Sequence, residues 1–331
     1  MSSGPTVADL GEHALIARLR SRVTTPPAHI EIGIGDDAAA IAPPRSELQI
    51  VTTDALIEGV HFRRDWTAPD ALGHKALAVN LSDLAAMGAT PRAALLSLVL
   101  PESLLVAEFD GLLDGFFALA AATATPLVGG NITRSPGPLM IDVTAIGSAP
   151  RRKLLRRSGG VAGDELYVTG ALGGAAAGLL IRQTGNLDGD VECLTRYERP
   201  TPQLRTGRLV ARSRTARSAI DLSDGLADGA RQLAAAAGLG VEIDAEAVPI
   251  LPAAAVVAAS AGRDALELAL AGGEDYELLF AVGRRQRRGF LSAVGRAGVV
   301  ATLVGRLVED RGAILVQCGM RKPLPDGFSH F

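Results

Sequence analysis

Five short strings in this chain set carboxylates beside glycine, serine or threonine. They are Gly33-Ile34-Gly35-Asp36-Asp37, Thr52-Thr53-Asp54, Asn80-Leu81-Ser82-Asp83, Asp221-Leu222-Ser223-Asp224 and Gly272-Gly273-Glu274-Asp275. Their donors are all oxygens, which suit Mg²⁺, Mn²⁺ or Ca²⁺ rather than zinc. Carboxylates of this kind resist gathering without cations. Two unit charges at 4 Å repel by roughly 4 kcal/mol at an effective dielectric near 20, and desolvation adds to that cost. Each string also has a plainer reading. Gly-Asp pairs make turns, and Ser-Asp before a helix makes an N-cap. For Asp224, capping a helix that runs to Ala237 is a sufficient role. Asp83 is different, because it lies inside an otherwise apolar helix where a carboxylate has no capping task. The five histidines, at 13, 29, 61, 74 and 330, have no metal-ligand spacing. His61 stands out among them, since it follows Thr52-Thr53-Asp54 in a loop containing Gly59.

The elements that must position these strings follow from periodicity and punctuation. A first helix fits Thr6 to about Arg22, opened by a Thr6/Asp9 capping box and stopped by Pro26-Pro27. His29 to Ile34 and Leu48 to Thr53 read as strands. Thr67-Ala68-Pro69-Asp70 opens a long helix with a second capping box. That helix runs through Lys75–Leu84 and ends at Gly88, with Pro91 beyond. Ala93 to Leu100 reads as a buried strand, Glu102 to Thr123 as a helix and Leu139 to Gly147 as a strand. After the basic run Arg151–Arg157 a new set begins: strand Glu165–Thr169, a helix from Gly173, helix Pro202–Arg212, strand Ser218–Leu222, helix Asp224–Ala237 and strand Val241–Asp244. Strands and helices mixed in both halves imply an α/β fold, or α+β with mixed sheets, in two domains of residues 1–150 and 151–331.

Composition excludes several classes. The chain has 331 residues, 48% of them apolar, which is enough for a substantial core and against wholesale disorder. The net charge of −3 shows no basic excess of the kind nucleic-acid binding by charge requires. Cys193 and Cys318 stand alone, against a disulfide framework and for a reducing, cytoplasmic setting. No apolar stretch reaches the roughly 18 residues of a membrane span. There is no P-loop, kinase or nucleophile-elbow string. Gly33-Ile34-Gly35-Asp36-Asp37-Ala38 matches the dinucleotide-binding pattern, with Asp54 at about the right distance for a ribose contact. Two features weigh against that reading: Asp36 and Asp37 would repel a pyrophosphate, and Pro43-Pro44 leaves no room for the helix.

Taken in order, longer strings resemble those of the thiamine-monophosphate kinases. They are Ile32 to Asp37, Thr53-Asp54 with Gly59-Val60-His61-Phe62, Lys75 to Gly88, Ile220 to Gly225, and Gly272-Gly273-Glu274-Asp275-Tyr276-Glu277-Leu278. The resemblance spans about Glu31 to Phe331. It places the chain in the superfamily that also holds aminoimidazole ribonucleotide synthetase, selenophosphate synthetase and a hydrogenase maturation protein. The last string and the His-Phe pair favour the kinase over its sisters.

The resemblance implies a two-domain aminoimidazole ribonucleotide synthetase-like fold. Its N-terminal domain, residues 1–150, binds ATP and Mg²⁺ and pairs with a second copy to complete a β-barrel. Residues 151–331 complete the active site. The implied reaction passes the γ-phosphoryl group of ATP to the phosphate of thiamine monophosphate, giving thiamine diphosphate. Asp37, Thr52, Thr53, Asp54, Asp83, Asn131, Asp221 and Asp224 match the family's magnesium ligands. Gly130, Asn131, Arg157 and Ser223 match nucleotide contacts. His61, Glu274 and Phe328 match positions that hold the thiamine phosphate. Asp54, Asp221 and Arg157 are the implied catalytic groups, and a monovalent cation is a further candidate ligand. The implied partners are the two small-molecule substrates and a second copy of the chain, with no nucleic acid and no membrane. One departure stands out. The family reads Gly-Gly-Asp where this chain has Gly129-Gly130-Asn131, which keeps a carbonyl ligand but drops a negative charge. A sister ATP-using enzyme is the alternative, followed by a metal-stabilised binding protein and a nicotinamide-dependent oxidoreductase.

Overall fold

The computed structural model describes residues 4–184 and 190–327. The chain forms two compact units: Met1–Leu84 with Thr90–Arg151, and Ala85–Ala89 with Arg152–Phe331.

The first unit contains α1 (Val7–Leu10), α2 (Glu12–Arg20), β1 (Ile30–Ile32), β2 (Ala40–Ile41), β3 (Glu47–Ile57), most of α3 (Pro69–Ala86), β4 (Thr90–Pro101), α4 (Val106–Thr123), β5 (Leu127–Ser135) and β6 (Met140–Pro150). Its main sheet has the order β3-β6-β4-β5. The β4/β5 pair is parallel and the other pairs antiparallel, so the sheet is mixed and open. Period-2 alternation divides its faces. Ile50, Leu56, Leu96, Leu98, Ile141 and Val143 are buried, as are Leu77, Leu81 and Leu84 of α3 and Phe109, Leu112 and Phe116 of α4. Their alternate neighbours, such as Thr144 and Ile146 on β6 or Ser97 and Val99 on β4, are only half-buried.

The second unit contains β7 (Glu165–Thr169), α5 (Gly174–Thr184), α6 (Val191–Glu198), α7 (Leu204–Ser213), β8 (Ser218–Asp221), α8 (Leu226–Ala237), β9 (Gly240–Asp244), α9 (Pro252–Ser260), α10 (Ala265–Ala271), β10 (Leu278–Val282), α11 (Arg287–Ala297), β11 (Ala301–Val308), β12 (Ala313–Gln317) and β13 (Met320–Pro323). Its seven strands run in the order β13-β12-β9-β11-β7-β10-β8, with β12/β9 the one parallel pair of that order. The core joins Leu166 and Val168 of β7, Leu226, Ala230 and Leu233 of α8, and Leu279 and Ala281 of β10. Mixed sheets in both units agree with the fold class read from the sequence. No helix among the described residues is long and apolar enough to cross a membrane.

Three local expectations change, and the dinucleotide-binding pattern stays excluded. The N-terminal helix is two helices, because Gly11 at φ 75° breaks it; the Thr6/Asp9 capping box ahead of the break does form. The Thr67 hydroxyl is buried and makes no hydrogen bond, so it does not cap α3. Residues 33–41 lead into the short hairpin strand β2, not into a helix, which removes the dinucleotide-binding reading. The N-cap of α8 is Gly225 at φ 96° with no side-chain cap, so Asp224 does not have the capping role that would have accounted for it.

Candidate active site

In the first unit the site residues ride on regular elements. On β3, Thr52 and Asp54 are two residues apart and share the face that carries Ile50 and Leu56. The Thr52 hydroxyl donates to Oδ2 of Asp83, which faces it from α3. The carboxylate inside the apolar helix therefore has a polar partner. Thr53 points to the opposite face, where its hydroxyl lies 3.0 Å from that of Thr144 and 3.2 Å from Oδ1 of Asp142. Its side chain is thus separated from those of Thr52 and Asp54.

At the end of β3 the chain turns tightly. The Ile57 amide donates to Nδ1 of His61 at 3.1 Å, and the His61 amide returns a bond to the Ile57 carbonyl at 2.9 Å. A neutral His61 ring held this way carries its proton on Nε2. Beyond it, Arg63 lies 4.6 Å above the Trp66 ring and pairs with Asp65. Arg64 is held by Glu58 and Glu108.

Asp37 is exposed, and its amide donates to the Asp36 carboxylate at 2.9 Å. Gly130 and Asn131 lie in β5, opposite Leu96 and Ser97. Gly130 has φ +152°, and a Cβ there would stand 1.9 Å from the Leu96 carbonyl oxygen. Strand packing alone therefore requires glycine at this position.

In the second unit the site residues ride on connections. Asp221 ends β8, buried, opposite Leu278 of β10. The chain then runs through Ser223 and Asp224, whose side chains hydrogen-bond each other at 2.9 Å. The 272–277 segment lies alongside. Glu274 donates its amide to the Ser223 carbonyl at 2.6 Å, Tyr276 to the Leu222 carbonyl at 3.1 Å, and Leu222 to the Glu277 carbonyl at 2.9 Å. Glu274 is thus brought beside Ser223 and Asp224. Arg157 donates to Gln232 of α8 at 2.6 Å, and Gln232 in turn donates to Asp228. Gly327 approaches Asp224 and Asp228 closely, and Phe328 lies outside the described residues.

Three buried charged residues of these strings had no expected role. Lys75 is buried within α3. Asp275 and Glu277 are buried in the second unit, and burial raises the pKa of both carboxyls. For Asp275 the value rises to about 7, against the opposing pull of two backbone N–H donors. The signal available in the sequence was the alternation Glu274-Asp275-Tyr276-Glu277 running into the apolar strand Leu278–Val282.

Every donor of the candidate metal set is a carboxylate, hydroxyl or amide oxygen, and Thr52 and Asp83 already stand in contact. That chemistry fits a hard divalent cation. Among the described residues, no three His, Cys, Asp or Glu side chains gather closely enough to enclose an ion by themselves.

Two family matches cover most of the chain: AIR synthase related protein, N-terminal domain, over residues 35–149, and its C-terminal domain over residues 161–317. The thiamine-monophosphate kinase of Salmonella typhimurium is 40% identical across 97% of this chain and 98% of its own length. The crystal structure of thiamine-monophosphate kinase from Stenotrophomonas maltophilia K279a is 38% identical, with a TM-score of 0.82, over 92% of this chain and 96% of that one. AaThiL complexed with AMPPCP and TMP is 32% identical, with a TM-score of 0.78, over the whole of both chains. By this near end-to-end likeness in sequence and fold, the chain belongs to the thiamine-monophosphate kinase family of AIR synthase related proteins.

Proposed function

We propose that this chain transfers the γ-phosphoryl group of ATP directly to the phosphate of thiamine monophosphate, releasing ADP and thiamine diphosphate. One observation carries the reading: the chain matches, over its full length, a protein complexed with AMPPCP and TMP. The placement of the acidic residues supports it: Thr52 and Asp54 lie on β3 with Asp83 facing Thr52 from α3, and Asp221 ends β8 with Asp224, which does not cap α8, just beyond it.

The acceptor is already an anionic phosphate oxygen, so the reaction needs no strong general base. The residues have to hold two polyanions in line and offset their charge. Thr52, Asp54 and Asp83 in the first unit, and Asp221 and Asp224 in the second, would hold Mg²⁺, with Asp37 and Asn131 completing the set; the Thr53 side chain, engaged with Thr144 and Asp142 on the opposite face of β3, stands apart from it. Mg²⁺ held there would supply positive charge to offset the negative charge that develops in transfer. Thr52 fixes the carboxylate of Asp83 by donating to it. His61, with Nδ1 engaged by the Ile57 amide, presents an Nε2–H donor suited to a phosphate oxygen of the acceptor. Arg157 supplies positive charge toward the nucleotide, with Gly130, Asn131 and Ser223 as its neighbours in binding. Glu274 and Phe328 hold the acceptor. Asn131 removes one negative charge from the ligand set and weakens one metal position relative to an aspartate.

Residues 1–150 form the nucleotide-binding and dimerising domain, and residues 151–331 the domain that completes the site. The half-buried face of the first sheet supports a homodimer whose paired sheets close a barrel. Val51 on that face is 61% exposed, and Val99 and Ile146 are only half-buried. Substituting Val51→Arg should convert the dimer to monomer in sedimentation analysis; an unchanged mass would remove this face from the interface. Two unpaired thiols agree with a cytoplasmic setting.

The deciding experiment is an ADP-release assay with ATP, Mg²⁺ and thiamine monophosphate, with the product identified by chromatography and thiamine as control acceptor. Thiamine diphosphate formed from the monophosphate alone is the expected result. No transfer despite ATP binding would overturn the choice of acceptor.

A further inference from the structure

The 273–277 segment carries an unusual backbone. Glu274 has φ 59° and Tyr276 has φ 49°, both non-glycine residues in the left-handed region, and they follow Gly273 at φ 70°. Such conformations cost free energy and persist only where the surroundings over-determine them. Here two buried carboxylates do so. Asp275 turns inward and accepts from the amides of Gly173, at 2.8 Å, and Ala175, at 3.2 Å. These are orphan donors at the start of the eleven-residue helix α5. Glu277 also turns inward. It accepts from the Thr169 hydroxyl at 2.6 Å and from Arg196 at 3.1 Å. The Thr169 hydroxyl in turn accepts from the Leu278 amide at 2.8 Å. The segment is thus tied to α5, to the end of β7 and to α6, while Glu274, only half-buried, is held by its amide beside Ser223.

We infer that Asp275 and Glu277 are positioning residues: they lock the left-handed turn that presents Glu274, and so set the affinity for the phosphorylated acceptor without touching it. The inference rests on the proposal that Glu274 holds thiamine monophosphate. The two oxygens of Asp275 serve two different amides, so neither can be spared. Asp275→Asn keeps the shape but places an NH₂ donor against one of those N–H groups. Glu277→Gln removes the charge facing Arg196 and leaves either Arg196 or the Thr169 hydroxyl proton without its acceptor.

The test compares wild type, Asp275→Asn and Glu277→Gln by steady-state kinetics and by amide exchange at Glu274 and Tyr276. Each variant is expected to raise KM for thiamine monophosphate about tenfold or more, the effect of one lost bond to a charged group, while KM for ATP stays within about twofold. The Glu274 and Tyr276 amides should exchange faster, while those of β10 keep their protection. The proposal is overturned if the acceptor KM is unchanged in both variants, if both KM values rise together, or if the two amides remain protected. A wild type that turns over ATP without phosphorylating thiamine monophosphate would count against the functional reading alone. The exchange data would then still decide whether the two carboxylates hold the turn, with unchanged protection refuting it. If Asp275→Asn fails to fold, Glu277→Gln decides the question by the same two measurements.

Discussion

The two units hold their acidic residues by opposite means. In the first, Thr52, Asp54 and Asp83 stand on a long strand and a long helix, and regular backbone hydrogen bonds fix their positions; one hydroxyl–carboxylate bond suffices to orient Asp83. In the second, Asp221, Ser223, Asp224 and Glu274 stand at a strand end and on irregular connections. There the backbone is held by buried carboxylates bonded to other elements. Regular structure is cheap to hold but offers side chains only at fixed periods. An irregular turn can present a side chain anywhere, but it demands a dedicated set of buried polar bonds.

Three predictions bear on this contrast. The largest effect tests whether both units contribute chemistry. Asp54→Ala and Asp221→Ala should each lower kcat by about a thousandfold, the scale of losing a principal electrostatic contact, with little change in melting temperature. Full turnover in either variant would confine the chemistry to one unit. Next comes Gly130→Ala in the regular unit. Its Cβ would collide with the Leu96 carbonyl, so it should destabilise the fold by about 2–3 kcal/mol in denaturant unfolding. A neutral result would mean that the strand pair yields more easily than its register suggests.

The smallest effect concerns pH. Asp275 sits at about 7 in the fold against 3.8 ordinarily, so the folded chain keeps a proton that the unfolded chain has released across that window. The part of the stability that comes from Asp275 keeping its proton is therefore complete below about pH 4, declines as pH rises toward about 7, and is lost above it, while the bonds from the Gly173 and Ala175 amides favour the ionised form. Glu277, also raised by burial, adds to the decline, and Arg196 opposes it. Asp275→Asn should flatten the fall in melting temperature between about pH 5 and 8 relative to wild type. An unchanged slope would mean that Asp275 is ionised throughout, held by the helix amides.

What could be read from the sequence divides along the same line. The period-2 pattern around Thr52-Thr53-Asp54 marked a strand, and a carboxylate in the apolar Lys75–Leu84 run marked Asp83 as exceptional; both stand where expected. Strand β5 is missing from the sequence reading, because Gly129-Gly130 interrupts the β-branched pattern of Leu127–Ser135 and only pairing with β4 makes it a strand. The elements beyond Asp244, from α9 to β13, are likewise not among those expected from the sequence. The roles of Asp275 and Glu277 were not legible at all. Their partners Gly173 and Thr169 are more than 100 positions away, and no local periodicity encodes such a contact. Asp224 lay between these cases: its N-cap reading was locally sound, and a glycine at φ 96° displaced it.

Trp66 is the only tryptophan in the chain, and it sits five residues after His61, in contact with Arg63 rather than in the hydrophobic core. The intrinsic fluorescence of this protein therefore reports chiefly on the loop after β3 and is nearly silent on the core. An emission change on adding acceptor would register at that loop, so the chain carries its own optical probe beside the proposed binding histidine.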